Sequence, residues 1–241
     1  MLIIKNLTKS YKNTKAVDCF NLKIERGHIY GIVGPNGAGK TTFFKLLAGL
    51  AVPASGEITV STGEDFAGYR KRMSFMIENP YLYDGMTAFE NMKIIGGIKG
   101  ETDESNLKKL LELVKLDRTG KKKVRNFSLG MKQRLGIACA LTSNPEILVL
   151  DEPMNGIDPE GIVELRELLL ALNRERNMTL LISSHILGEL FQLSTDFVFI
   201  KDGRIINIAD KKSLENQDGG IRDMVQFEQY YLKEIGGNEN R

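Results

Sequence analysis

The chain has 241 residues, 42% of them apolar and 27% charged, a globular composition with room for one large domain or a core plus a lobe. Lysine and arginine (33) nearly balance aspartate and glutamate (31), so no overall basic field recruits nucleic acid, and no nucleic-acid partner is expected. The longest stretch without a charged side chain, Gly27–Gly39, is shorter than the roughly 20 residues that a bilayer span requires.

Met1–Asn6 lacks the layout of a secretion signal. The two cysteines, Cys19 and Cys139, suggest neither a disulfide framework nor a metal cluster. A soluble chain in a reducing cytoplasm is therefore expected, with both thiols as small buried apolar groups.

Leu2–Thr8 and Ala16–Ile24 alternate imperfectly at a period of two around the polar Lys12-Asn13-Thr14, which predicts two N-terminal strands in an antiparallel part. His28–Val33 is a short apolar strand that runs into glycines, and Thr41–Leu50 is a helix with an apolar face at Phe43, Phe44, Leu46, Leu47 and Leu50. Met73–Ile77 reads as strand. From Asn79 to Phe127 the pattern turns helical: a short helix over Ala88–Ile95, ended by Gly96-Gly97, and a better one over Asp103–Leu116. After Ser128, helices over Met131–Leu141, Pro159–Leu172 and Leu187–Leu193 alternate with strands over Glu146–Leu150, Thr179–Ser183, Phe197–Ile200 and Arg204–Ile208. Such alternation predicts a parallel sheet with helices on its faces. Ile221, Met224, Val225, Leu232 and Ile235 mark an amphipathic helix before a loose Gly-Gly-Asn-Glu-Asn-Arg tail.

Gly34-Pro35-Asn36-Gly37-Ala38-Gly39-Lys40-Thr41 fits G-x-x-x-x-G-K-[ST], placed between a predicted strand and a predicted helix as the motif requires. Glycines let backbone N–H groups converge on a pyrophosphate, Lys40 reaches the β- and γ-phosphates, and the Thr41 hydroxyl ligates Mg²⁺. Asn36, Gly37, Ala38, Gly39, Lys40, Thr41 and Thr42 are thus the expected ATP-binding run. Ile147–Leu150 then ends in Asp151-Glu152, at the strand edge where ligands of parallel sheets sit. Asp151 is assigned to Mg²⁺ and Glu152 to the base that deprotonates the attacking water. The fold class is α/β, a P-loop nucleoside-triphosphatase core with a parallel sheet, an N-terminal antiparallel β part and an inserted helical lobe. The core is placed at 1–78 and 128–210, the lobe at 79–127 extending into 128–142, and a C-terminal helix and tail at 211–241.

Only two histidines occur. His28 opens an apolar strand and is read as structural, whereas His185 follows Leu180-Leu181-Ile182-Ser183-Ser184, a strand end beside the phosphate site. With these residues assembled, nearly the whole chain resembles the nucleotide-binding subunits of ATP-binding cassette (ABC) transporters. The resemblance implies the ABC ATPase fold, ATP and Mg²⁺ as cofactors, and hydrolysis of ATP coupled to transport. It gives His185 a contact to the γ-phosphate and stacks Tyr11 on adenine, against the alternative of a surface tyrosine. Asp158, in Asn155-Gly156-Ile157-Asp158, matches the family's loop between the two halves of its dimer. Phe127-Ser128-Leu129-Gly130-Met131 stands at the family's signature, Leu-Ser-Gly-Gly-Gln. There Ser128 and Gly130 would receive nucleotide held by a second copy, and Ser128, Leu129, Gly130 and Asp158 would form the dimer contact.

The chain departs from the family's pattern at two sites, the signature and position 78. Leu129 replaces a glycine, which is expected to restrict the backbone near phosphate, and Met131 replaces a glutamine. Glu78 stands where the family carries a glutamine, so a third carboxylate would join Asp151 and Glu152 and either tighten Mg²⁺ binding or raise one carboxylate's pKa, unless Glu78 is a surface residue. These departures, with Ile77-Glu78-Asn79-Pro80 and Phe227–Lys233, resemble the bacitracin-resistance and lantibiotic-immunity branch of exporter ATPases. Membrane-spanning subunits and a second copy of the chain are the implied partners, with the chain peripheral on the inner face of the membrane. Tyr81, Tyr83 and Met86 either line a groove for a membrane subunit's helix or pack the lobe. Lys121–Arg125 reads as a solvated basic loop. Cassette ATPases that act on nucleic acid or ribosomes are the competing class, but no heptads or cysteine cluster separate Lys40 from Ser128 and one cassette is present.

Overall fold

The computed structural model describes residues 1–216 and 220–236. Positions 217–219 and 237–241, including most of the expected tail, lie outside the described residues.

Strands β1 (Leu2–Tyr11) and β2 (Thr14–Ile24) pair antiparallel, with Leu2 opposite Ile24 and Tyr11 opposite Thr14. Strand β3 (Ile29–Val33) is buried throughout and leads to helix α1 (Lys40–Ala48). β4 (Ser55–Val60) joins β1 on its other side, giving a three-stranded sheet ordered β2-β1-β4. A short helix α2 (Phe66–Tyr69) precedes β5 (Met73–Met76). Helices α3 (Ala88–Lys99), α4 (Glu104–Leu113) and α5 (Leu129–Leu141) follow. The rest alternates: β6 (Ile147–Asp151), α6 (Pro159–Arg176), β7 (Thr179–Ser184), α7 (Leu187–Leu193), β8 (Asp196–Lys201), β9 (Arg204–Asp210), α8 (Lys211–Asn216) and α9 (Met224–Gly236).

Among the described residues the main sheet has six strands ordered β5-β6-β7-β3-β8-β9. It is parallel up to β8, as expected, and β9 returns antiparallel beside β8. The return is a hairpin, since only Asp202 and Gly203 separate the strands and both have positive φ. One face of this sheet packs on α1 and the three-stranded sheet through Phe20, Phe43, Phe44 and Leu47. The other packs on the helices and the lobe through Leu135, Leu165, Leu169 and Phe227. Truncation of a fully buried phenylalanine such as Phe43 would cost about 3–5 kcal/mol.

Two expectations are corrected. Helix α3 runs through Gly96-Gly97 and ends at Gly100, whose φ is 85°. Gly96 is buried, and a Cβ there would meet Glu101 O at 2.9 Å, so this glycine serves a close chain return and does not stop the helix. The start of α3 is firm, because Thr87 and Glu90 form a reciprocal capping box. Cys19 is exposed, unlike Cys139. It sits at φ 53° in an irregular part of the β1–β2 ladder, its N–H given to Thr8 Oγ1 at 3.1 Å.

Candidate active site

Strand order places the site. In the sequence β6-β7-β3, Asp151 lies opposite Ser183 and Val33 opposite Ser184, so three strand ends open onto one edge. From β3 the chain enters Gly34 and turns into α1 at Gly39, which has φ 109°. A Cβ at Gly39 would lie 2.1 Å from Ala16 O, so only glycine fits. No side chain caps α1, and its first-turn N–H groups remain open to an anion. Lys40 is buried and folds back, its Nζ donating to Gly34 O at 2.6 Å and Pro35 O at 3.2 Å. The loop is braced from behind, where Gly203 N–H donates to Ala38 O at 3.0 Å and Asp18 N–H to Gly203 O at 2.6 Å.

The acidic pair is positioned by one hydroxyl. Ser183 Oγ donates to Asp151 Oδ1 at 2.6 Å and accepts from Glu152 N–H at 2.9 Å. Glu152 has left-handed backbone, φ 49°, immediately after the buried strand. Its Oε1 lies 3.5 Å from Lys40 Nζ, and its Oε2 takes the His185 N–H at 3.2 Å and lies 2.7 Å from His185 Nδ1. Lys40, Glu152 and His185 thus meet at a cleft of about 240 Å³ lined also by Ala16, the 35–42 run and Asn155. With Nδ1–H given to Glu152, His185 can also donate through Nε2 only as the doubly protonated ring. His28, by contrast, bonds Asp196 Oδ2 through Nδ1 at 2.8 Å at the opposite edge, the structural place its sequence suggested.

Asp151 is nearly inaccessible, and among the described residues only one of its oxygens is hydrogen-bonded, to Ser183. With the Thr41 hydroxyl at the start of α1, it offers few and hard oxygen donors. Such a set suits Mg²⁺ held jointly with nucleotide phosphates. Glu78 follows β5 at φ 64°, and its Oε1 is 3.0 Å from Lys45 Nζ. Sequence reading missed Lys45. The one signal was its spacing of four from Thr41, which puts both on one face of α1. Its ammonium is held above the usual lysine range, first by the Glu78 hydrogen bond and then, against some burial, by Glu78, Tyr11 and Asp151 charge. Tyr11 is half exposed at the end of β1, with Lys9 Nζ 5.2 Å from its ring centroid.

Ser128, Leu129, Gly130 and Asp158 do not line this cleft; they cluster at the starts of α5 and α6, with Gly130 buried among them. Ser128 caps α5, its Oγ accepting Met131 N–H at 3.2 Å, and Asp158 caps α6, its Oδ1 accepting Gly161 N–H at 2.7 Å. Leu129 is the first residue of α5 and does not have positive φ, so its replacement of glycine carries no backbone strain. Its side chain covers Gly156, where a Cβ would come 3.0 Å from Leu129 Cδ2. Gly130 is buried in its own chain, close to Ile157. The basic loop before this turn is tied down, with Lys123 3.2 Å from Glu90 and Lys122 over the Phe127 ring.

The sequence profile of the ABC transporter family matches residues 17–155. The lantibiotic transport ATP-binding protein SrtF of Streptococcus pyogenes is 42% identical over 95% of this chain and 99% of its own length. The bacitracin transport ATP-binding protein BcrA of Bacillus licheniformis is 46% identical over 83% of this chain and 67% of its own. Among solved structures, the dimeric ATP-binding cassette MJ0796 bound to ADP and Pi is similar with a TM-score of 0.76 and 27% identity, covering 87% of this chain and 98% of that one.

Proposed function

The chain belongs to the ABC transporter family as an ATP-binding subunit and ATPase, and from that footing we propose that it powers export of an antimicrobial peptide or another hydrophobic compound. The likeness to proteins named for lantibiotic and bacitracin transport supports the substrate class. The observation that carries the catalytic reading is Glu152 held between Lys40 and His185 at the mouth of the phosphate loop.

ATP phosphates would take the N–H groups of Asn36–Thr42, with Tyr11 stacked on adenine, and Lys40 would trade its two carbonyls for phosphate oxygens. Thr41 and Asp151 would hold Mg²⁺, which neutralises charge on the β- and γ-phosphates. Glu152 takes a proton from water as the water oxygen bonds to the γ-phosphorus and the bond to the bridging oxygen breaks, leaving ADP and phosphate. His185 and Lys40 stabilise the transferred charge. Ser128 and Gly130 of a second copy would close over the γ-phosphate, with Asp158 and Leu129 at the same contact. Nucleotide then favours the closed pair, and that difference does mechanical work. The MJ0796 cassette, solved as a dimer with ADP and Pi, supports this arrangement.

Among the described residues no helix is long and apolar enough to cross a membrane. The membrane-spanning part would come from partner subunits, with this chain on the cytoplasmic face. A groove of about 450 Å³ lies between the segment after Glu78 and helices α3 and α5, lined by Pro80, Tyr81, Tyr83 and Ile95. Tyr81 is 97% exposed, which suits a partner's short helix better than lobe packing. Met86 is not in the lining; it is half buried, its carbonyl taking Val124 N–H at 2.8 Å. A Cβ at Gly136 of α5 would meet Pro80 Cβ at 2.5 Å, so this groove is built directly onto the helix that Ser128 opens.

Glu152→Gln should lower steady-state ATP hydrolysis by about 100-fold or more and yield an ATP-dependent dimer in light scattering. Unchanged turnover would remove Glu152 from the base role. Co-expression with the membrane subunits should raise survival on bacitracin or a lantibiotic, and the Glu152→Gln chain should not. Equal survival would refute the substrate class.

A further inference from the structure

The charge of Glu78 is already answered within the chain. Its carboxylate lies on Lys45 at 3.0 Å, with the two side chains 67% and 36% exposed respectively. Lys45 stands one turn after Thr41, and it feels Tyr11 and Asp151 as well as Glu78. By its spacing of four from Thr41 on one face of α1, Lys45 sets the pair beside the helix start assigned to Mg²⁺, and the inference rests on that reading of Thr41 and Asp151. A glutamine at position 78 would offer Lys45 a neutral oxygen, whereas the carboxylate makes a charge-assisted contact. Without a counter-cation, Glu78 would be a third carboxylate beside Asp151 and Glu152.

We propose that Lys45 is a positioning residue for Glu78: its ammonium holds the carboxylate, and a divalent cation arriving with nucleotide gains Glu78 only by displacing Lys45. The pair is neutral overall, whereas a glutamine at position 78 would leave the Lys45 charge unopposed. The contact is open to solvent, so it is weak enough to be exchanged, at about fivefold in an equilibrium constant. Left-handed backbone at Glu78 presents the side chain from a turn and not from the strand, which permits it two partners.

The test measures binding of a fluorescent ATP analogue to the full chain as free Mg²⁺ is varied. Lys45→Met should lower the half-saturating Mg²⁺ about fivefold, and Lys45→Arg should keep the parental value. In a Glu78→Gln background, Lys45→Met should shift nothing. The proposal is overturned if Lys45→Met leaves the midpoint unchanged or raises it, or if the same shift appears in the Glu78→Gln background. Lys45→Met that weakens binding equally at every Mg²⁺ level also overturns it, by placing Lys45 on the nucleotide. If the parental chain binds the analogue equally with and without Mg²⁺, the metal reading fails and the proposal with it. A metal-dependent parental chain with additive variants sinks the Lys45 role alone.

Discussion

Two helix N-termini, those of α1 and α5, are assigned to the same chemistry and are built in opposite ways. Helix α1 opens at Gly39 with no side-chain cap, so its N–H groups and dipole are left to a ligand. Helix α5 opens at Ser128, whose own hydroxyl already takes Met131 N–H. The α1 turn is rigid because backbone presses on it: Ala16 O leaves no space beside Gly39, and the β8–β9 hairpin holds Ala38. The α5 turn is held by side chains, Leu129 over Gly156 and Ile157 near Gly130. An N-terminus that binds phosphate within its own chain can be preformed and unsatisfied. One that, as proposed, receives the nucleotide of another copy would need to be satisfied while alone, its cap exchanged for phosphate only on closure.

The largest effect that would sharpen this contrast is expected from glycine replacement. Gly39→Ala faces a backbone oxygen at 2.1 Å and a φ of 109° that alanine does not adopt. Nucleotide affinity, read by fluorescence titration, should fall by at least about 100-fold. Gly130→Ala meets nothing nearer than Ile157 Cγ2 at 3.2 Å, at a helical position, and that neighbour can give way. It should keep single-chain nucleotide affinity within about threefold and affect chiefly the concentration dependence of hydrolysis. Equal losses of single-chain affinity in the two variants would erase the distinction between the turns.

Ser128→Ala comes next. Loss of this cap should cost about 1 kcal/mol in denaturant unfolding. If the hydroxyl also serves the second copy's nucleotide, hydrolysis at limiting protein concentration should fall further than that stability loss explains. A variant with lowered stability and parental hydrolysis at every concentration would leave Ser128 a cap and nothing more.

What the sequence made legible divides along the same line. Gly34–Thr41 and Ile147–Glu152 could be read because each is a local event: a strand end, a turn chemistry and a helix start within a few residues. Nothing local reveals that Ser183 holds both acids, that Ala16 O closes the space beside Gly39, or that Lys45 faces Glu78. The first follows from strand order, which places β7 between β6 and β3, and the other two from how β2 and the segment after β5 pack around α1. Strand β4 went unread because it is an edge strand with mostly exposed residues and weak alternation. Gly96-Gly97 misled for a related reason, since a glycine needed for packing looks the same in sequence as a helix stop. Leu129 looked like a strained departure because position 129 was judged by the family's glycine, while the helix places it in ordinary right-handed backbone.

The smallest expected effect separates the two turns by acid. Asp18, in β2, is buried and holds Arg204 through Nε at 2.8 Å and Lys15 at 2.9 Å, beside the Gly203 contact that braces the phosphate loop. The hydrogen bonds from Lys15 and then Arg204 hold its carboxyl below the usual aspartate range. A depressed folded-state pKa means that the stabilisation is fully present above the unfolded value of about 3.9 and is lost as pH falls through the lower folded value. Asp18→Asn should therefore lower the Tm at neutral pH, and the gap to the parental chain should narrow below about pH 4. Amide exchange should rise at Ala38–Lys40 in this variant and stay parental at Leu129–Met131, because Asp18 braces only the first turn. A gap that widens on acidification, or exchange that rises equally at both turns, would show that the β8–β9 hairpin does not brace the phosphate loop.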